Sequence, residues 1–227
     1  MRTYASSRSP CRAAPMSFDR LARCYGVLEA ITAGGKMQKC RVAFLDDIPV
    51  PRKVLLAGEG HGRFLWECVR RYPDSRIVVV DSSAGMLQVA KSKLTGLEAP
   101  HDRVEFVHAD VLQWKSPVGE FDLIVTHFFL DCFPEKTLAD VVARLGELAT
   151  PHAHWLLADF QIASTRWARL RCRVIVGLLY GFFRVVCGLK ANSLVSPDGD
   201  LKKAEFHRHR QTTSEWGLLK SDWWRRE

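Results

Sequence analysis

Residues 54–87 read VLLAGEGHGRFLWECVRRYPDSRIVVVDSSAGML. An apolar run breaks into alternating glycines and a helical pattern, and a second apolar run then ends on Asp81. A glycine-rich turn after a strand lets a ligand approach the backbone, because no Cβ atom obstructs it. An acid that closes the next strand lies beside that turn and can accept both hydroxyl groups of a ribose. Asp81 follows Gly62 by nineteen positions, so the stretch predicts a site for a nucleoside-containing cofactor.

The composition is that of an ordinary globular protein. The chain has 227 residues, of which 47% are hydrophobic and 26% charged, so it is long enough for one sizeable α/β domain. The net charge of +8 raises the question of a nucleic-acid partner. The basic residues are scattered, with mild concentrations near 166–173 and 202–210, and no nucleic-acid-binding motif accompanies them. We therefore expect no nucleic-acid partner.

The cysteines indicate a reducing compartment. Their number is odd, seven, and they form neither a CxxC pair nor a regular spacing. This pattern favours reduced thiols over a disulfide framework and predicts no zinc site. We expect a cytoplasmic protein.

The first fifteen residues differ from the rest of the chain. They contain three arginines and no acid, and they lack the apolar segment of a secretory signal. We interpret 1–15 as a disordered extension, with a transit peptide or a working start at Met16 as alternatives. The predicted domain is 16–227.

Strand and helix signals alternate along that domain. A helical pattern from Phe18 leads to a capping signal at Gly34-Gly35, and a second short helix follows near 36–45. Buried strands are predicted near 53–57, 76–80, 104–108, 121–126 and 154–159, with helices at 63–71, 83–94 and 135–149. This order predicts a Rossmann-like α/β fold, a parallel sheet with helices on both faces. A final hairpin, 205–213 with 216–224, is expected to add antiparallel strands.

The glycine pattern is G-x-G-x-G and not the G-x-G-x-x-G of dinucleotide-binding proteins. Together with "VVVDSSAGMLQVAKSKL", "VEFVHADVLQW" and "FDLIVTHFFLDCF", which follow in order, "LLAGEGHG" resembles the class I S-adenosylmethionine-dependent methyltransferases. The resemblance implies a three-layer sandwich whose seven-stranded sheet has the order 3-2-1-4-5-7-6 with an antiparallel last strand. It also implies S-adenosyl-L-methionine as the cofactor.

The resemblance further implies which residues bind that cofactor. The loop of Gly58, Gly60 and Gly62 would lie under its methionine part, and Asp81 would accept from the ribose hydroxyls. The other implied contacts are Ser82 and Met86 beside the adenine, Asp110 at the adenine amino group with Val111 next to it, and Tyr25 and His127.

One position departs from the family pattern. Family members usually carry an acid two residues before the first glycine, where this chain has Leu56. Glu59, inside the loop, is the nearby carboxylate. We interpret Glu59 as a partial anchor for the cationic cofactor; a solvent-facing loop residue is the alternative.

The methyl acceptor is expected at the end of the fourth strand. This chain reads His127-Phe128-Phe129-Leu130 where methyltransferases of base and protein amides often read N-P-P-Y, so amino-group methylation of bases is disfavoured. His127 and Asp131 suit a general base and its orienting partner. Alternatively, His127 hydrogen-bonds the cofactor or backbone and Asp131 caps the helix near Pro134. No carboxylate cluster indicates a metal-dependent mechanism.

Segment 166–190 is predicted to be a helical lid over the acceptor. It is apolar and rich in arginine, so it suits a lipophilic small molecule and contact of 166–189 with an anionic membrane surface. A long helix packed on the sheet, with its arginines reaching solvent, is the alternative.

The sequence therefore predicts a methyltransferase that acts on a small, hydrophobic acceptor at oxygen or carbon. Two other functions remain open: an NAD(P)-binding Rossmann oxidoreductase and a non-catalytic methyltransferase-like binding module.

Overall fold

Seven strands form one mixed sheet in the structure, a computed structural model that describes residues 34–94, 101–188, 191 and 193–227. The strands are β1 (Lys53–Ala57), β2 (Arg76–Asp81), β3 (Val104–His108), β4 (Phe121–His127), β5 (Ala149–Phe160), β6 (Phe206–Ser214) and β7 (Leu219–Arg226). Their order is β3-β2-β1-β4-β5-β7-β6, and β7 is antiparallel to both of its neighbours. The predicted sheet order and its antiparallel addition are confirmed.

Helices lie on both faces of the sheet. They are α1 (Gly34–Arg41), α2 (Arg63–Arg71), α3 (Ala84–Leu94), α4 (Glu135–Leu148), α5 (Arg166–Cys187) and α6 (Asp198–Lys203). The side chains of β1 alternate between the faces: Val54 packs in one cluster with residues of α2 and α3, and Leu55 packs in another with residues of α4. A two-residue alternation of buried side chains explains why β1 supports helices on both of its faces.

The topology directs ligands to one edge. Strand β1 pairs in parallel with β2 on one side and with β4 on the other. The chain moves outward from β1 through β2 to β3, and then returns to place β4 on the opposite side. In open α/β sheets ligands bind outside the carboxyl ends of the strands where the winding direction reverses. Here that crevice is at the ends of β1 and β4.

Helix α5 lies over the carboxyl edge beside α1. One of its faces belongs to a third cluster that includes Met37 and Cys40 of α1, Ala158 of β5, and Leu218 and Leu219 near the start of β7. Phe128 and Phe160 pack against the same cluster. Helix α5 therefore covers the half of the edge that belongs to β4, β5 and β7.

Several element boundaries differ from the sequence prediction. Helix α1 begins at Gly34, so the two glycines open this helix and do not precede it. Strand β5 begins at Ala149, directly after α4 and five residues before the predicted start, and Ala149 pairs with Phe121 before a register shift. The predicted helix from Phe18, Tyr25 within it, and segment 1–15 lie outside the described residues.

Candidate functional site

The glycine loop leaves β1 in a conformation that glycine favours. Gly58, Gly60 and Gly62 have φ angles of +66°, +65° and +78°, where a side chain is strained. A Cβ atom built on Gly58 would lie 2.0 Å from Cδ2 of Phe129, and one on Gly62 would lie 2.8 Å from Cα of Ala90. At Gly60 such an atom would meet nothing within 4 Å among the residues that the structure describes. Gly58 and Gly62 therefore allow close packing, whereas Gly60 faces open space at the edge of the sheet.

Asp81 ties the end of β2 to this loop. Its Oδ2 accepts a hydrogen bond from the Gly60 N–H at 3.3 Å, and its Oδ1 accepts from the Ser83 N–H at 2.9 Å. The side chain is half-buried. These two hydrogen bonds hold the carboxylate at the end of β2 beside the backbone of the glycine loop.

The remaining predicted adenine contacts gather at the ends of β2 and β3. Ser82 is exposed and Met86 is buried in the first turn of α3. His108 Nε2 lies 3.1 Å from the Ser82 carbonyl oxygen, which holds the two strand ends together. Asp110 is exposed and its Oδ1 accepts from the Leu112 N–H at 3.0 Å, while Val111 is buried. The structure thus brings these predicted residues to one edge.

Glu59 turns toward helix α2. Its Oε1 accepts from the N–H groups of Phe64 at 2.8 Å and Leu65 at 3.0 Å, so it caps the free donors of the first turn. Burial raises the pKa of this carboxyl to about 7, although these hydrogen bonds and the charge of Arg41 oppose the shift. Glu59 is therefore not the solvent-facing residue that the sequence left as an alternative.

His127 ends β4 in a buried position. Its ring meets the edge of the Phe64 ring with the centroids 4.5 Å apart. Burial, together with the nearby charge of Arg41, holds the pKa of this imidazole well below its usual range, so the ring is neutral at pH 7. Within the described residues, Nδ1 is buried without a hydrogen-bond partner. A buried nitrogen without a partner is unusual in a folded protein and marks His127 as a candidate functional residue.

Asp131 does not orient His127 in this structure. Its carboxylate accepts from the Cys132 thiol at 3.6 Å, and burial raises its pKa to about 6. The shift of the His127 pKa comes from burial and Arg41, with no contribution from Asp131. The predicted base-and-orienter contact is therefore absent from the described structure. Asp131 lies instead in the short helical turn Leu130–Cys132, ahead of α4.

A second buried carboxylate, Asp159 near the end of β5, accompanies Asp131. Its carboxylate accepts from the N–H groups of Phe160 at 2.8 Å and Asp131. Burial and the Asp131 charge raise its pKa well above the usual range. The Tyr180 hydroxyl of α5 donates to the Asp131 carbonyl oxygen at 3.1 Å. This pair lies close beneath α5, and burial shifts the pKa of both carboxyls toward the neutral form.

Arg41, at the end of α1, is the other charged group at this edge that sequence reasoning missed. It is buried, and its guanidinium lies 5.1 Å from the Phe128 ring centroid. Its charge acts on both Glu59 and His127. No pattern in the sequence distinguishes Arg41 from its neighbours. Asp159 did carry a signal, because it closes an apolar run as Asp81 does.

Helix α5 turns one apolar face toward this region. Cys172, Val176 and Tyr180 are buried along that face, and Phe183 packs half-buried against the same cluster.

No helix within the described residues has the length and apolar character needed to cross a bilayer.

Comparisons with known proteins agree on one family. Residues 54–152 match a family model described as "Methyltransferase domain". The trans-aconitate 2-methyltransferase of Rhodopseudomonas palustris is 40% identical over 75 residues, 33% of this chain and 25% of that protein. The malonyl-acyl-carrier-protein O-methyltransferase of Halalkalibacterium halodurans is 28% identical over 113 residues, 48% of this chain and 40% of that protein. The aligned parts thus span a quarter and two fifths of these two relatives.

Solved structures share the fold over a larger part of the chain. The magnesium protoporphyrin IX methyltransferase of Synechocystis, solved with bound S-adenosylhomocysteine, superposes with a TM-score of 0.66 at 20% identity. The superposition covers 92% of this chain and 94% of that one. At this identity the likeness concerns the fold.

Proposed function

We propose that this chain, a member of the class I S-adenosylmethionine-dependent methyltransferases, transfers a methyl group to a small, hydrophobic acceptor at oxygen or carbon. The family match and the strand order confirm the predicted family and fold, and with them S-adenosyl-L-methionine as the cofactor. The observation that supports the activity is the open space at Gly60 with the Asp81 carboxylate beside it. We take 16–227 as the methyltransferase domain and 1–15 as an extension of it.

The cofactor-binding residues fit this assignment at the carboxyl edge. When bound, S-adenosylmethionine supplies a methyl group on a positively charged sulfur. The glycine loop offers backbone to its methionine part, Asp81 accepts from the ribose hydroxyls, and Asp110 accepts from the adenine amino group. Ser82, Met86 and Val111 border the adenine, and Tyr25 and His127 complete the set.

Charge at the methionine end of this site comes from two groups. We assign Arg41 to the cofactor carboxylate, because it is a buried cation near both the glycine loop and His127. Glu59 keeps its predicted role as a partial anchor of the cation only in its ionised form. A pKa of about 7 makes that form roughly half-populated at neutral pH.

His127 is the general base of the proposed reaction. Its imidazole is neutral at pH 7 and its Nδ1 has no partner within the described residues, so it can accept a proton from an acceptor hydroxyl or carbon acid. Asp131, the second predicted catalytic residue, acts here together with Asp159, whose carboxylate accepts a hydrogen bond from the Asp131 N–H. Burial raises the pKa of both carboxyls, which shows that this side of the site disfavours charge, and this favours an uncharged acceptor.

Aromatic side chains support a lipophilic acceptor. The Phe128 and Phe160 rings lie 5.2 Å apart, and the Phe129 and Phe133 rings lie 5.0 Å apart. Helix α5 covers this side as the predicted lid. The family match ends at residue 152, so it does not include α5. We place the protein in the cytoplasm, with α5 in contact with a membrane surface.

Leu56 and the buried state of His127 favour a second candidate, a methyltransferase-like module that binds a partner without catalysis. One experiment separates the two functions. S-adenosylhomocysteine is titrated calorimetrically, and methyl release is screened over phenols, quinone precursors and lipid-like acids. Binding with turnover supports the enzyme. Failure to bind contradicts it, and binding without turnover on any acceptor favours the module.

A further inference from the structure

Helix α5 carries a second apolar face on its outer side. We call it the outer stripe: Trp167, Leu170, Val174, Leu178, Phe182 and Val185. Successive members are three or four residues apart, which puts them on one side of the helix. All six are exposed, and the exposed fractions reach 85% for Trp167, 71% for Leu178 and 87% for Val185. The stripe therefore faces solvent along nearly the whole of α5.

The described part of the chain does not cover this stripe. Gly177 and Gly181 lie on the same side, and a Cβ atom built on either would meet no described residue within 4 Å. The face that packs against the protein is a different one, with Cys172, Val176 and Tyr180 buried. Monomeric proteins rarely expose a continuous apolar surface of this extent, and such a surface marks a binding site for a partner or a membrane. At 22 residues, α5 presents about 33 Å of it.

Arginines border the outer stripe. Arg166, Arg173 and Arg184 are exposed and are spaced seven and eleven residues apart, which puts them along one line of the helix beside the stripe. The 22 residues of α5 contain no Asp or Glu. An apolar face bordered by arginine is typical of helices that lie in the interface of an anionic membrane.

We propose that the outer stripe of α5 docks this protein on an anionic phospholipid bilayer, with the helix lying in the plane of the interface. The lipid tails take up the apolar side chains and the headgroup phosphates pair with the bordering arginines. The positive charge of α5 favours an anionic membrane over a second copy of the chain as the binding partner. A second α5 would bring more arginine and no carboxylate, whereas an anionic surface supplies the opposite charge. This proposal specifies which face of α5 makes the membrane contact of the proposed function. It rests on the proposed function for the lipophilic nature of the acceptor.

Docking through the outer side leaves the inner face of α5 on the carboxyl edge of the sheet. The acceptor side of the site, near Phe128 and Phe160, then lies one helix thickness from the bilayer. A lipophilic acceptor dissolved in the membrane reaches the site by a short path past α5.

The test measures co-sedimentation of the full chain with vesicles of phosphatidylcholine, with and without phosphatidylglycerol. We expect binding to the anionic vesicles to be stronger by roughly tenfold or more, and to weaken as salt is raised. The Val174→Asp/Leu178→Asp double variant should lose this binding. Its matched control is Val50→Asp/Val118→Asp, which adds the same charge at two exposed valines away from α5 and should retain most of it.

A second pair of changes covers the case in which the stripe variant fails to fold. Arg166→Gln/Arg173→Gln leaves every apolar side chain in place and should reduce only the preference for anionic vesicles. Equal binding by the stripe variant and its control, both still folded, overturns the proposal. So does a wild-type dimer without lipid that the stripe variant converts to monomer, since the stripe would then be a contact between copies. Vesicle binding needs no acceptor, so its failure is distinguishable from a failure to transfer methyl groups.

Discussion

The carboxyl ends of β1 and β2 and those of β4 and β5 form two regions of opposite character. At the first, Asp81 is half-buried and Gly60 borders open space, so groups that can bind a ligand are already accessible. At the second, the titratable groups are enclosed: His127 is 6% exposed, Asp131 8% and Asp159 2%. Their pKa values are shifted mainly by burial, toward the neutral forms.

This difference has a physical origin and a consequence for the reaction. A cofactor with charges and hydroxyl groups needs backbone N–H groups and an ionised acid as binding partners. These groups can stay in contact with water before the cofactor binds, so the folded protein incurs little desolvation cost for them. A base that accepts a proton from a lipophilic acceptor works best when neutral and away from water. Because α5 packs over the second region, we expect acceptor entry to require movement of α5 or of the aromatic side chains beneath it.

The largest effect is expected from removal of the proposed base, His127, in the enclosed region. His127→Ala should lower kcat by roughly 100-fold or more, the usual contribution of general base catalysis. The measurement is steady-state turnover on the best acceptor found in the methyl-release screen. An acidic phenol, already ionised in solution, is the matched substrate, because it needs no base and should recover most of the loss. Full turnover by His127→Ala on both acceptors would mean that positioning alone carries the reaction.

The next effect concerns the accessible region at the carboxyl ends of β1 and β2. Asp81→Asn keeps an oxygen for the Ser83 N–H and removes the charge that receives the ribose hydroxyls. Hydrogen bonds to charged groups contribute about 1.5–3 kcal/mol each, so affinity for S-adenosylhomocysteine should fall roughly 10- to 100-fold. Calorimetric titration measures it, and the exposed Asp110→Asn is the comparison, with a smaller expected loss. Equal affinity of Asp81→Asn and the wild type would contradict the ribose assignment.

Prediction from sequence succeeded where local pattern determines structure. The strand-turn-helix pattern through Gly62 and the acid that closes β2 at Asp81 depend on neighbouring residues, so periodicity and glycine spacing locate them. The enclosed region is assembled from separate elements: Arg41 from α1, Asp159 from β5 and Tyr180 from α5. Their proximity depends on tertiary packing, which a single sequence does not display. The early start of β5 at Ala149 was missed for a related reason, since its pairing with Phe121 extends the strand beyond its apolar run.

Glu59 lies in the glycine loop, yet burial raises its pKa as it does for the carboxyls of the enclosed region. Its pKa is about 7 in the folded protein against 4.5 ordinarily. Between these values the unfolded chain has lost the proton and the folded chain keeps it, so stability falls as pH rises from about 4.5 to about 7. Glu59→Gln keeps an acceptor for the Phe64 and Leu65 N–H groups and removes this dependence. The variant should therefore gain on the order of 2 kcal/mol relative to the wild type between pH 5 and pH 8.

Urea unfolding at the two pH values measures this difference. Glu67→Gln, on the helix α2 that Glu59 caps, controls for the loss of one carboxylate. Equal pH slopes in Glu59→Gln and the wild type would mean that Glu59 is ionised throughout. Its predicted role as an anchor of the cationic cofactor would then gain support.

The smallest effect separates the two faces of α5. Phe182 and Phe183 are adjacent, with ring centroids 5.6 Å apart, yet Phe182 lies on the outer stripe and Phe183 packs half-buried toward the sheet. If α5 is a lid, Phe183→Ala should raise KM for the acceptor about fivefold, equivalent to about 1 kcal/mol of lost binding. Phe182→Ala should leave KM for a water-dispersed acceptor within about twofold. Neither change should alter affinity for S-adenosylhomocysteine, because the proposed cofactor-binding residues, the glycine loop and Asp81, lie outside α5. Phe183→Leu fills most of the same volume and tests packing separately.

A loss of cofactor affinity or a large drop in Tm in Phe183→Ala that Phe183→Leu restores would make this face of α5 part of the core and not a lid. Equal KM values for Phe182→Ala and Phe183→Ala would remove the distinction between the faces, because acceptor binding would then not depend on which side of α5 a side chain occupies.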